Sequence, residues 1–195
     1  LKAVANADVK CDTWLNGYWQ SPCYFQECEE IIYNELGPPT PTKREVLELG
    51  KQLRDSESVA LGIRLYEESP DPRGQARDGR IKTAEEISAA IMRLREGRPH
   101  ARFYVFCTHR SPLLEQLQLP SGSSYVTHDD GYEGTLDRLW LLTQCRHHLF
   151  TNSSYYWWGA WLSAAVHGGV KEGQLIMAAD NFVNRDSLCE EWEEF

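Results

Sequence analysis

Residues 145–162 read CRHHLFTNSSYYWWGAWL, a short apolar run that passes through a polar turn into a segment dense in aromatic side chains. No other stretch constrains the fold as much. Residues 148–151 have the length and composition of a buried strand, and Trp157, Trp161 and Ala164 recur at helical spacing, so the unit reads strand, turn, helix. Ser153 and Ser154 then fall at the helix start. Unpaired backbone N–H groups and the positive end of the helix dipole point outward there, and two hydroxyls add donors, which suits a phosphate group. The same residues also fit a purely structural role, with Ser153 as an N-cap and the tryptophans as core filling.

The rest of the chain supplies companions for this unit. Residues 58–64 (SVALGIR), 102–107 (RFYVFC), 124–127 and 174–178 are further short strands, most of them apolar and bounded by charged or turn residues. Between them lie helical patterns. Residues 27–36 form a short helix that ends at Gly37-Pro38-Pro39, and Thr42 is placed to cap a second over 43–54 with Val46, Leu47, Leu49, Gly50 and Leu53 on one side. Thr83 and Glu86 make a capping box for a helix to Gly97 that buries Ile87, Ile91 and Leu94. Ser111 is placed to cap a short helix PLLEQL, and residues 136–144 form an apolar one. Five strands alternating with helices predict an α/β chain, a Rossmann-like parallel sheet with helices on both faces.

In such sheets ligands bind beyond the carboxyl ends of the strands, so Arg64, Glu67 and Glu68 are placed to meet one. A solvated acidic loop with Arg64 paired to either glutamate gives the same pattern. Residues 70–80 are turn-rich and charged, and Arg73, Arg77 and Arg80 would bring cations beside that strand end. Asp129 and Asp130, in a polar turn, read as solvated acids rather than metal ligands.

With 195 residues and a formal net charge of −9, the chain suits one compact domain with an appendage and is a poor general binder of nucleic acid or anionic membrane. An anionic ligand must therefore be held by a local cluster. No stretch approaches the roughly 20 apolar residues of a bilayer span, and the N-terminal sequence lacks a signal peptide's apolar core. Cys11, Cys23, Cys28, Cys107, Cys145 and Cys189 form no C-x-x-C pair, which reads as reduced thiols in a reducing compartment. His147 and His148 are adjacent, so on a strand they face opposite sides and read as structural. Asn152-Ser153-Ser154 matches a glycosylation pattern, but a turn between a buried strand and an aromatic helix is a poor glycan site.

The stretch NSSYYWWGAWL resembles the signature Asn-Ser-Ser-x-x-Trp-Trp-Gly-Ala-Trp-Leu of glycosyltransferase family 11, the α-1,2-fucosyltransferases. Gly17 to Ser21, followed by Tyr24 and Phe25, is similar to an upstream Gly-Tyr-Trp-Gln-Ser segment of the same family. The strand at 102–107 is also similar, although Thr108, His109 and Arg110 replace the acids that follow it there. The family's His-x-Arg-Arg-Gly-Asp motif falls on Gly62, Ile63, Arg64, Leu65, Tyr66 and Glu67. Its first Arg, which grips the donor diphosphate, is kept as Arg64 and its acid as Glu67, while the His, the second Arg and the Gly are lost. An acid that holds guanine is replaced by Arg138, with Asp137 one residue earlier. An Arg cannot accept the N–H pair of guanine, so either Asp137 substitutes or the base preference has changed.

The resemblance implies the C-terminal half of a GT-B glycosyltransferase. Residues 58–195 become the nucleotide-sugar-binding domain, and 1–57 an aromatic and helical segment joining a missing or reduced first half, so the chain looks like a fragment or a reduced member. It implies transfer of fucose from GDP-fucose to a galactose-containing glycan, α-1,2 and inverting, without a metal or other cofactor. Arg64, Glu67 and Glu68 are the implied catalytic residues; Arg64, Asp137, Asn152, Ser153 and Ser154 are the implied donor-binding ones. Two alternatives stand beside this: a non-catalytic module that binds glycan or nucleotide, and a transferase using another nucleotide sugar. The expected location is cytoplasmic, at most peripheral to a membrane, or the Golgi lumen for a eukaryotic parent whose anchor is missing.

Overall fold

A computed structural model describes residues 20–64, 81–112, 114–182 and 185–195. Glu67, Glu68, the 70–80 segment with its three arginines, Cys11 and Gly17 to Trp19 lie outside the described residues. Six strands form one sheet: β1 (Ser58–Gly62), β2 (Arg102–Phe106), β3 (Ser124–Val126), β4 (His147–Phe150), β5 (Ile176–Ala178) and β6 (Glu193–Glu194). They lie in the order β3-β2-β1-β4-β5-β6, and every neighbouring pair is parallel. The expected Rossmann-like α/β arrangement is therefore present.

All five residues of β1 are buried, as a central strand covered on both faces requires. Alternation of side chains then divides the core into two layers. Ala60 shares one layer with Tyr104, Phe106, Phe150 and Ala178, and Val59 and Leu61 share the other with Phe103, Val105, Leu149 and Met177. The helices are α1 (Glu29–Leu36), α2 (Arg44–Arg54), α3 (Ala84–Gly97), α4 (Thr135–Gln144) and α5 (Ser154–His167). Ile87, Ile91 and Leu94 of α3 cover the second layer; α2, α4 and α5 cover the first through Val46, Leu53, Leu141 and Trp157. The capping box forms as expected: Thr83 Oγ1 accepts the Glu86 N–H at 3.3 Å, and Glu86 Oε2 accepts the Thr83 N–H at 2.9 Å.

The tryptophans of the α5 stretch act as clamps. Trp157 is wholly buried and its indole N–H donates to the Ser187 carbonyl at 2.6 Å. Trp192 from the C-terminal tail lies against Trp157, 5.5 Å between ring centroids, and against Phe150 at 5.7 Å. Trp161 stacks on Tyr33 of α1 at 4.1 Å and meets Phe25 edge-on at 4.9 Å. Burial of each such ring stabilises by roughly 1.5–3 kcal/mol, so α5 fastens both ends of the described chain to the sheet.

Several local expectations are corrected. Thr42 does not cap α2, whose N-cap is Lys43 without a side-chain bond. Leu47 is exposed, because α2 buries only the narrow strip Val46, Gly50 and Leu53, with Leu49 packed against its edge. That strip is narrow because α2 lies directly on the Trp140 ring, and a Cβ on Gly50 would fall 2.1 Å from it. The PLLEQL helix contracts to one 3-10 turn, Leu114–Gln116. The first strand ends at Gly62, leaving Ile63 and Arg64 in its exit. The acidic tail adds β6, which carries no apolar pattern and is held by pairing with β5.

Candidate active site

The sheet order reverses at β1, which pairs with β2 on one side and β4 on the other. In doubly wound sheets the crevice outside the carboxyl ends of the strands at that reversal is where ligands bind. Two of the sequence-predicted groups meet there, the β1 exit at Arg64 and the turn leading from β4 into α5. A buried hydroxyl joins them. Thr151, 3% exposed, accepts the Arg64 N–H on Oγ1 at 2.8 Å, and its own N–H donates to the Gly62 carbonyl at 3.0 Å. The Arg64 backbone is thereby fixed while its side chain is exposed on the carboxyl edge.

Ser153 is the N-cap of α5 by backbone, with φ −156°, yet its hydroxyl makes no capping bond. The Trp157 N–H donates to the Ser153 carbonyl at 3.0 Å, which begins the helical ladder, and the first-turn amides receive no bond from the Ser153 hydroxyl. Asn152 Nδ2 donates to the Asn181 carbonyl at 3.2 Å, tying this turn to the β5 exit. Beside it, Lys82 Nζ lies 2.8 Å from Asp180 Oδ1, with the lysine side chain only 4% exposed.

Tyr156 lies across the ends of β1 and β2. Its hydroxyl donates to the Phe106 carbonyl at 2.8 Å and lies 3.3 Å from that of Ile63. A Cβ on Gly62 would sit 2.5 Å from its ring. Burial raises the Tyr156 phenol far above its ordinary value and pushes Tyr155 up to about 12, so both are neutral donors. Tyr155 donates to the Thr135 carbonyl at 2.7 Å, which sets the first turns of α4 and α5 side by side.

Asp137 occupies the first turn of α4, its carboxylate folded back toward Gly134 at the positive end of that helix. Arg138 is turned inward and buried, with Nη1 donating to the Cys107 carbonyl at 2.9 Å. Beyond β2 and β3, His109 Nδ1 lies 2.9 Å from Asp129 Oδ1, and the Arg110 N–H donates to Asp129 Oδ2 at 2.7 Å. The His109 bond, with the Arg110 N–H behind it, holds the Asp129 carboxyl below the usual range. The Arg110 guanidinium pairs with Asp130 and lies over the Tyr125 ring. Asp129 is thus engaged by the His109 ring and the Arg110 N–H, and Asp130 by the Arg110 guanidinium.

Arg64 and the 152–154 turn are brought together, Asp137 lies at the adjoining helix start, and Glu67 and Glu68 fall outside the described residues. Sequence reasoning missed Thr151 and Tyr156 as the groups that shape this edge. Thr151 closes an apolar strand and carried no sign of a partner 87 residues away. Tyr156 is matched by Gly62, but only the fold shows that the two touch.

A parallel sheet of this order, with an uncapped helix terminus at its reversal, has the architecture of a nucleotide-binding doubly wound fold. The chain belongs to glycosyltransferase family 11, whose family model matches residues 6–194. It is 27% identical over 158 residues to an alpha-1,2-colitosyltransferase of Escherichia coli, an alignment that covers 80% of this chain and 53% of that protein. The chain therefore spans about half the length of the curated relative it matches. No solved structure matches. Among the described residues, no helix is long and apolar enough to cross a membrane.

Proposed function

We propose that the chain carries the donor-binding part of a transferase that moves fucose from GDP-fucose to a galactose hydroxyl, in α-1,2 linkage with inversion. The juxtaposition of Arg64 with the α5 terminus, through Thr151, carries this reading. Membership of a glycosyltransferase family and the α-1,2 transfer named for the Escherichia coli relative support the reaction class and linkage. As the bond from the sugar carbon to the diphosphate breaks, negative charge grows on the leaving group. Arg64 and the first-turn amides of α5, with the Ser153 and Ser154 hydroxyls, meet that charge without a metal ion. The acceptor oxygen attacks from the opposite face and gives its proton to Glu67, three residues beyond Arg64, with Glu68 as the second candidate base.

Arg64→Ala tests the reading. Turnover should fall by roughly 10²-fold or more with the melting temperature unchanged, since an exposed side chain is removed. Equal activity with a normal melting temperature would remove Arg64 from the reaction.

A non-catalytic module is the second reading, and one observation favours it. The position of the motif's His is Gly62, and the space above it is filled by the Tyr156 ring. Calorimetric titration separates the two, because glycan binding without GDP binding supports the module.

A further inference from the structure

Among the described residues, Arg138 is a buried cation without a counter-charge. The residue is 9% exposed, Nη1 is bonded to the Cys107 carbonyl, and Nε is shut from solvent with no acceptor. Among the described residues no carboxylate pairs with it. Asp129 and Asp130, which face Cys107 from the β3 exit, are taken by His109 and Arg110. Three described groups near it are neutral: burial holds the Cys107 thiol up at about 12 and keeps the Tyr155 and Tyr156 phenols protonated. A guanidinium in such surroundings is costly, and one carbonyl bond does not offset the lost hydration.

Position indicates what would offset it. Arg138 is bonded to the Cys107 carbonyl, next along β2's exit from the Phe106 carbonyl that accepts from Tyr156, and the same Tyr156 hydroxyl lies 3.3 Å from the Ile63 carbonyl beside Arg64. Both arginines are thus anchored beside the first turn of α5, whose Ser153 N-cap makes no side-chain bond. A neutral base edge offers acceptors but no charge; a phosphate group offers both.

We infer that Arg138 has no counter-ion among the described residues because an anionic phosphate group of the bound donor supplies it, making Arg138, Arg64 and the α5 terminus three sides of one diphosphate cradle. The inference rests on the donor reading above and deepens it: Arg138 recognises the diphosphate and not the base.

The test combines thermal unfolding with calorimetric titration of inorganic pyrophosphate, GDP and guanosine into the wild-type chain, Arg138→Met and Arg138→Gln. Met fills the volume without charge, and Gln keeps an N–H donor for the Cys107 carbonyl. Both variants should bind pyrophosphate and GDP about 10- to 100-fold more weakly, the range of a charge-assisted pair. The ligand-free melting temperature of Arg138→Met should stay level or rise, since an unpaired buried charge is gone. Wild-type affinity for pyrophosphate in either folded variant overturns the cradle. So does a lowered melting temperature with unchanged affinity, which marks Arg138 as a tether to β2, or a change confined to guanosine, which marks it as a base reader. If Arg138→Met does not fold, Arg138→Gln decides. Arg138-dependent binding of pyrophosphate without any of GDP keeps the cradle and removes the nucleotide-sugar reading. GDP bound equally by all three proteins does the reverse, and a wild-type chain that binds neither anion contradicts both.

Discussion

The Arg64 N–H donates to the Thr151 hydroxyl at 2.8 Å, joining the exits of two adjacent parallel strands that are 87 residues apart in the chain. Thr151→Val keeps the volume, removes the acceptor and leaves that N–H unpaired. A loss of about 1–3 kcal/mol is expected in chemical denaturation, with weaker GDP binding as Arg64 loosens. Thr151→Ser should restore both. Full stability and affinity in Thr151→Val would show that this bond does not position Arg64.

Gly50 carries α2 against Trp140, and a Cβ there would fall 2.1 Å from the ring. Alanine favours a helix over glycine by about 1 kcal/mol. Overpacking against a ring enclosed by the first core layer costs about 1–3 kcal/mol and wins. Gly50→Ala should therefore lower the denaturation midpoint, read by tryptophan fluorescence. A raised midpoint would mean that α2 shifts off the sheet at little cost.

Much of this fold is legible in the sequence because its strands are central. Residues 58–62 and 147–150 are covered on both faces, so they read as unbroken apolar or semi-apolar runs. The capping box at Thr83 is equally local and forms as expected. β6 is invisible for the opposite reason: two exposed glutamates have no pattern, and only pairing with β5 and the docking of Trp192 make them a strand. The site divides in the same way. Ser153 and Arg64 could be placed from the turn and the strand end, whereas the inward turn of Arg138 onto the Cys107 carbonyl depends on packing between α4, α5 and β2.

At the amino end of the sheet, His147 Nε2 lies 2.8 Å from Glu57, and its Nδ1 accepts the Leu175 N–H at 2.9 Å. Burial lowers His147 despite that carboxylate, and on the other face burial lowers His148 to about 3. The hydrogen bond from His147 in turn holds the Glu57 carboxyl low. All three groups bind fewer protons folded than unfolded. The histidines' stabilisation is therefore present above about 6.5 and is lost as pH falls from there through their lowered folded values, near 3 for His148, at about 1.4 kcal/mol per pH unit, while that of Glu57 is lost only below 4.5. Melting temperature should decline steadily between pH 7 and 4, and His148→Leu should flatten the slope. A profile level across that range would contradict burial of the histidines in neutral form.

Amide hydrogen exchange with and without saturating GDP is the most direct test of the donor site at the β1–β4 reversal. Slowed exchange is predicted at Ser154, Tyr155 and Tyr156, the first-turn amides of α5, and at the adjoining Arg64 exit. Exchange unchanged at these four positions while GDP protects another surface would place the nucleotide elsewhere and contradict the account.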